Sequence, residues 1–312
     1  MLDSRQLRYF AAVVEHGSLA GASASLRVAA SALSHHLAQM EAALGVQLFD
    51  RKPRGMEPTA AGQRLFDHAR VILRTMDAAE ADVREAGGDI AGDVSVGMAY
   101  SAVKAIGVDL ARRILKDYPR VQLALSESFS GAALVHLLAA DVDMALVFNP
   151  PSDAALKTVP VLEERLVCVG LPDLVGDTDA PIRFADVLDL PLVLLRHGIS
   201  ARALLDDVTL LKKMEASARL QMNSVQAIGG SAEAGLGRVI ATRLVLRAQL
   251  EGGRVRGPPI VAPEPSGTLH LCELTGRTPT YAREAVKAVI LELIAASVRS
   301  GFWDARLIAD GP

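Results

Sequence analysis

Aromatic side chains are scarce, at 4% of 312 residues, while half of the residues are apolar. A sizeable core can therefore be buried, but aliphatic and alanine packing has to fill it. Cysteine is limited to Cys168 and Cys272. They form no CxxC pair and sit in apolar alternating runs, which excludes a disulfide framework and a cysteine zinc site. Buried free thiols of a reducing compartment are expected, with a redox-sensing disulfide as the rarer alternative. No uncharged apolar run approaches ~18 residues, so no membrane span is expected. The start, MLDSRQLRYF, lacks the apolar stretch of a signal peptide, and a cytoplasmic location follows as an expectation. Catalytic signatures are missing as well: no HExxH, GxSxG, phosphate loop or GxGxxG opens a helix after a strand. The seven histidines are scattered, so no metal, cofactor, catalytic residue or enzymatic activity is expected. A large excess of charge is also absent. The net charge of −3 argues against a coat for nucleic acid, although residues 1–58 carry +1 and the remainder −4, which permits a DNA-binding head.

What is present is strongest at the N-terminal end. The length suits two or three domains. Ser4 can cap a first helix with Leu7, Phe10, Ala11 and Val14 on one face, and Gly17 ends it. Ser18 can cap a second, whose Leu19, Ala22 and Leu26 face inward among small residues that allow close approach. A third helix is expected over 31–43, opened by Ser31, with Leu33, Leu37, Met40 and Leu44 as its apolar stripe. At about 100° per residue, Ser31, His35 and Gln39 face away from that stripe, Ser34 lies on the flank, and His36 turns toward the core. On its own, Ser31 reads as a cap worth ~1 kcal/mol and His35 as a solvated side chain. The setting favours a recognition helix, because the RKPRGMEPT stretch that follows sets Arg51, Lys52 and Arg54 in a compact basic loop suited to phosphate contact.

From 59 to 86 there is no proline, and Leu65, Ala69, Ile72, Met76, Ala79 and Val83 recur at 4, 3, 4, 3, 4. This seam predicts a helix that pairs with a second copy, although one amphipathic helix packed on its own body remains the alternative. Beyond Gly92 strands alternate with helices. The strands read at 93–99, 121–127, 143–148, 156–162, 165–171, 192–196, 218–223, 238–241 and 268–274, and the helices include 102–117, 131–139, 200–214, 224–235 and 280–299. That alternation predicts an α/β body of mainly parallel strands with ligands at their carboxyl ends.

The stretches LRYFAAVVEHGSL (7–19), ASALSHHLAQMEAALGVQLFDR (30–51) and PTAAG (58–62) resemble the LysR-type transcriptional regulators in order and spacing. RGMEPT (54–59) and GFWDARL (301–307) resemble the branch of nitrogen-assimilation-control regulators. Where the family often has Gln and Arg on the recognition helix, this chain has Ala30 and His35, so the family's preferred base is not carried over. The resemblance implies a winged helix-turn-helix over 1–58, a linker and dimerisation helix over 59–89, and a two-lobed α/β effector domain like periplasmic binding proteins over 90–300. Lobe one would span 93–162 with 268–300, lobe two 163–267, and 301–312 would be a tail. It implies a homodimer or homotetramer on double-stranded promoter DNA, with RNA polymerase as a further partner and no membrane.

A cleft between such lobes is a default small-molecule site. Its expected lining is Tyr100, Ser101, Ser128, Ser130, Phe148 and Asn149 from lobe one, and Arg196, His197, Ser200, Ile240 and Thr242 from lobe two. Ser101 and Ser200 open helices and Arg196 offers a planar fork, which suggests an anionic effector. Ordinary capping and a surface ion pair explain the same residues. The leading expectation is a sequence-specific regulator modulated by a small molecule. The alternatives are a constitutive regulator without a ligand, a cytoplasmic solute-binding module dimerised through its head, and an α/β enzyme.

Overall fold

The computed structural model describes residues 2–52, 55–84, 90–195 and 208–308. The chain folds as two compact units, residues 1–88 with 139–141 and residues 89–138 with 142–312.

The first unit opens with helix α1 (Ser4–His16). Its cap is Asp3 and not Ser4: the Asp3 carboxylate accepts from the Gln6 backbone while the Gln6 side chain accepts from the Asp3 N–H. A charged acceptor with a glutamine three residues on closes this reciprocal box better than a serine one position later. Gly17, at φ 62, ends the helix. Helix α2 (Leu19–Leu26) is capped by Ser18 as expected. Helix α3 (Ala30–Leu44) begins one residue earlier than expected, at an Ala29 cap with no side-chain hydrogen bond. Ser31 is thus a second-position residue with an exposed side chain, and capping does not account for it.

Leu33, Leu37 and Met40 are buried with Leu7, Phe10, Val13, Ala22, Leu48, Phe49 and Ala69. Leu44 is not part of that core. It is 42% exposed, because Gly45 breaks the helix beside it at φ 69. A hairpin of β1 (Phe49–Lys52) and β2 (Gly55–Pro58) forms the wing. The Glu41 carboxylate of α3 accepts from the Leu48 and Phe49 amides at 2.7 and 3.3 Å, tying the third helix to the wing's first strand. The other strand is tied to the α1–α2 turn, since Met56 N–H donates to Gly17 O at 2.8 Å. Gly55 has φ 145, and a Cβ there would collide with that same carbonyl, so only glycine fits.

Helix α4 (Ala60–Arg84) follows, with the Thr59 hydroxyl accepting from Gly62 N–H at 3.0 Å. Its expected seam divides into two parts. Leu65 and Ala69, with Phe66 and Leu73, pack on the head's core. Ile72, Met76 and Val83 stand exposed at 44, 36 and 76%.

The second unit is built on a nine-stranded sheet. Its strands are β3 (Ala91–Met98), β4 (Arg120–Glu127), β5 (Met144–Phe148), β6 (Leu156–Val169), β8 (Leu192–Leu195), β9 (Ala218–Met222), β10 (Arg238–Thr242), β12 (Ser266–Leu274) and β13 (Ala305–Leu307). The order is β4-β3-β5-β12-β6-β10-β8-β9, with β13 added to β6. A separate parallel pair, β7 (Ile182–Arg183) and β11 (Ile260–Val261), lies outside it. Pairing is parallel among β4, β3 and β5 and among β9, β8 and β10. It is antiparallel wherever β6 and β12 take part. The sheet is therefore mixed and not mainly parallel, because two long strands carry the chain from one parallel group to the other and back.

Strand β6 merges the two expected strands at 156–162 and 165–171. Glu163 and Glu164 look like a turn in sequence, yet both are accommodated in the strand. Glu163 accepts from Ser266 Oγ at 2.8 Å and pairs with Arg306, and Glu164 is buried. Lobe one holds a core of Val94, Val96, Met98, Ile106, Leu110, Met144, Leu146, Val286 and Ile290. Lobe two holds two smaller ones, around Phe184, Leu192 and Met214 and around Val193, Ile228 and Val239. The helical segment from Tyr100 to Asp117 has a π-helical turn at Val103–Gly107 between α5 (Tyr100–Ala102) and α6 (Val108–Asp117). Helices α7 (Ser130–Leu138) and, late in the chain, Tyr281–Arg299 also cover lobe one. The expected tail is partly structural: Trp303 is fully buried and Ala305–Leu307 pair with Leu162–Glu164.

Candidate nucleic-acid interface and effector cleft

The exposed flank of α3 carries Ser31, His35, Ala38 and Gln39, with Ser34 half-buried beside them. Leu33, Leu37 and Met40 hold the opposite face inside the core, so the helix presents these polar groups as a consequence of burying its apolar stripe. His35 Nε2 and Gln39 Nε2 are 3.0 Å apart, one turn along the helix, which braces the two side chains against each other. His36 turns inward, its ring 5.1 Å from that of Tyr9.

In the wing, Arg51 lies on β1 opposite Met56. Lys52 is exposed and ion-paired with Glu57 across the hairpin, and that hydrogen bond raises the ammonium above its ordinary pKa. Arg54 lies outside the described residues.

The described residues of the expected cleft fall into three groups. Ser101 and Thr242 are both buried near Glu164. Ser101 Oγ donates to Glu164 Oε2 at 3.4 Å, while Thr242 Oγ1 accepts from Val245 N–H at 3.3 Å. Ser130, Phe148 and Asn149 are committed to the backbone. Ser130 Oγ accepts from Phe148 N–H at 3.0 Å, and Asn149 exchanges two 2.9 Å bonds with Thr268. Ser128 and Tyr100 are half-buried, as is Ile240, and Lys104 Nζ sits 6.0 Å from the Tyr100 ring centroid. Arg196, His197 and Ser200 lie outside the described residues. A cavity of about 410 Å³ borders Arg243, Leu244, Arg247, Phe302 and Trp303, and none of the described residues of the expected cleft lines it.

Glu164 and Trp303 were missed in the sequence. The Trp303 indole N–H donates to Glu164 Oε1, and burial pushes the carboxyl up to about 7 against the pull of its polar neighbours. Alternation could have revealed Glu164, because residues 162, 164 and 166 share one strand face and both flanking leucines are buried.

The chain matches the bacterial regulatory helix-turn-helix model of the lysR family over residues 4–63 and the LysR substrate binding domain over residues 87–295. It belongs to the LysR family. It is a LysR-type transcriptional regulator with a DNA-binding helix-turn-helix and an effector-binding domain. The nitrogen assimilation regulatory protein nac of Klebsiella aerogenes is 30% identical over 294 residues, which is 94% of this chain and 95% of that protein. Among solved structures, a full-length OxyR variant from Pseudomonas aeruginosa superimposes with a TM-score of 0.74 at 17% identity, covering 100% of this chain and 99% of that one. Full-length CbnR in complex with its target DNA gives 0.62 at 23% identity, over 95% of this chain and 100% of the other.

The likeness of this LysR regulator to OxyR is one of fold, and its own thiols are built for inertness. Cys168 and Cys272 are both fully buried, and burial pushes each thiol up to about 12. Cys272 pairs across the sheet with Thr158 of β6, the strand that also carries Cys168. At ~3.3 Å per residue the two are roughly 30 Å apart, too far for a disulfide within one chain. The native protein is therefore expected to leave Ellman's reagent unconsumed and to show no mass change after peroxide, with both thiols reacting once guanidinium is added. A fast-reacting thiol in the folded protein would refute this.

Proposed function

We propose that this regulator reads its operator with the exposed flank of α3, using Ser31, Ser34, His35 and Gln39 on base edges and Arg51, Lys52 and Arg54 on phosphates. The carrying observation is that this polar flank is open to solvent while the opposite stripe is buried. The α3 N-terminus has no side-chain cap, leaving its first amides for a phosphate oxygen. Two heads would be held at a fixed spacing by a pair of α4 helices, a reading supported by the uncovered Ile72, Met76 and Val83. Val108 and Leu115, each 73% exposed on α6, offer a further self-association face for a tetramer. The protein would act in the cytoplasm and carry out no reaction of its own, its effector domain biasing how the heads engage DNA.

His35→Ala is expected to lose about 1–3 kcal/mol of discrimination at one operator position while keeping its phosphate-driven background binding. Competition gel shifts against single-base operator variants measure this. Unchanged affinity and unchanged sequence preference would remove α3's flank as the reader. A second reading, a regulator that needs no ligand, draws on the engagement of Ser101 by an internal carboxyl.

A further inference from the structure

Glu164 has no solvent exposure and none of its influences is a cation. Its partners come from three separate parts of the fold. Ser101 is the second residue of α5 in lobe one, which Tyr100 and not Ser101 opens, Trp303 comes from the C-terminal segment, and Thr242, which ends β10 in lobe two, is near enough to pull the carboxyl's pKa down. Glu164 itself lies on β6, which both lobes share. A second tie lies near it: Lys104 Nζ of the π-helical turn donates to Val245 O at 3.2 Å, just beyond Thr242. Leu244, between them in sequence, is buried in the core of lobe one.

We propose that the Glu164 carboxyl is a catch that fastens the two lobes of the effector domain to each other without a bound small molecule. The inference rests on reading residues 90–300 as an effector module whose lobes can part. The Ser101 hydroxyl, placed to receive a ligand, already meets a resident acceptor on β6, and Lys104 of the same lobe holds Val245 of the other. A buried carboxyl with polar donors on every side is satisfied only while those donors stay together, so parting the lobes breaks several hydrogen bonds at once.

The catch also responds to protons. Parting the lobes would hydrate the carboxyl and return it toward its ordinary pKa, so the fastened arrangement holds its proton more tightly and loses its advantage as pH rises through about 7. The charges around it do not oppose this. Asp304 of the C-terminal segment raises the pKa further and is itself 3.6 Å from Arg243. Glu163 and Arg165 project from the other face of β6, toward Arg306 and Glu264. Opposite Glu164, β12 and β13 present Gly267 and Ala305, which carry no charge. From α5 and the π turn the one charged group is Lys104, committed to Val245.

Hydrogen exchange of the full-length protein, free of DNA and added ligand, tests the proposal. Glu164→Ala is expected to speed exchange roughly tenfold at the lobe junction, in β6 from Glu164 to Leu166 and at the Thr242 end of β10, with the cores around Val96 and Val193 unchanged. Glu164→Gln, permanently neutral, is expected to exchange more slowly than the parent, by a margin that grows from the ordinary carboxyl pKa of 4.5 up to about 7 and stays constant above it, after correction for intrinsic rates. Junction exchange in Glu164→Ala equal to or slower than the parent's overturns the catch. If Glu164→Ala speeds exchange in both cores as well, Ser101→Ala and Trp303→Phe decide, since each removes one donor and leaves the carboxyl and its strand in place. Acceleration confined to the junction supports the catch, and unchanged exchange overturns it. Because no DNA is present, failure of operator binding would sink the proposed function and leave this result standing.

Discussion

A variant carrying Ile72→Glu and Met76→Glu is expected to bind a two-half-site operator about 10²–10⁴-fold more weakly than the parent, because one recognition helix at a time loses the gain of linked binding. Both residues lie on the uncovered stretch of the α4 seam, and neither belongs to the head's core. The head should therefore stay folded, held by Leu65, Ala69 and Leu73 one or two turns earlier. Each substitution places a carboxylate where two helices would bury an apolar contact, and like charges would face each other across a symmetric pair. Sedimentation should show a smaller species, and gel shifts should show residual half-site binding. A variant that keeps both its mass and its affinity would exclude this stripe as the dimer seam.

Trp303→Ala should cost about 3–5 kcal/mol, the range for emptying a large buried aromatic site. Trp303 is the largest fully buried side chain among the described residues, and its loss also deprives the Glu164 carboxyl of the indole donor. For a domain of about 200 residues each kcal/mol moves Tm by about 2–4 °C, which places the drop near ~10 °C in calorimetry. The loss should fall on the transition of the effector domain and spare that of the head, whose core shares no residue with it. A shift under ~2 °C would mean that the site repacks or that the C-terminal segment is dispensable.

The head was the most legible part of the chain because helical periodicity, glycine stops and a basic hairpin all act over short distances. The sequence placed Ser31, His35 and Gln39 on the open flank from the Leu33–Leu37–Met40 stripe alone, and the structure has them exposed. Its errors there were local competitions: Asp3 displaced Ser4 as the cap, and Gly45 released Leu44 from the core. The effector domain was harder. Its alternation of elements was visible, but the antiparallel return through β6 and β12 depends on pairing between segments about a hundred residues apart. Local pattern carries no information about such partners. The Glu163–Glu164 pair broke the apolar run and split one strand in two, and the donors that make Glu164 tolerable arrive from residues 101 and 303. Trp303 stood in a stretch noticed only for its resemblance. Part of the expected cleft, Arg196 to Ser200, falls outside the described residues.

The packing of α4 on the head has a mechanical consequence. Leu65, Phe66, Ala69 and Leu73 are cemented into the same core as the recognition helix, Arg8 of α1 reaches Asp77 of α4 at 2.8 Å, and the wing is pinned at one end to Glu41 and at the other to Gly17. Among the described residues, no compliant joint separates reader and shaft. In the proposed pair of α4 helices, a movement of one shaft would swing its whole head like the jaw of a calliper, altering the gap between jaws while leaving the grip of each one as it was.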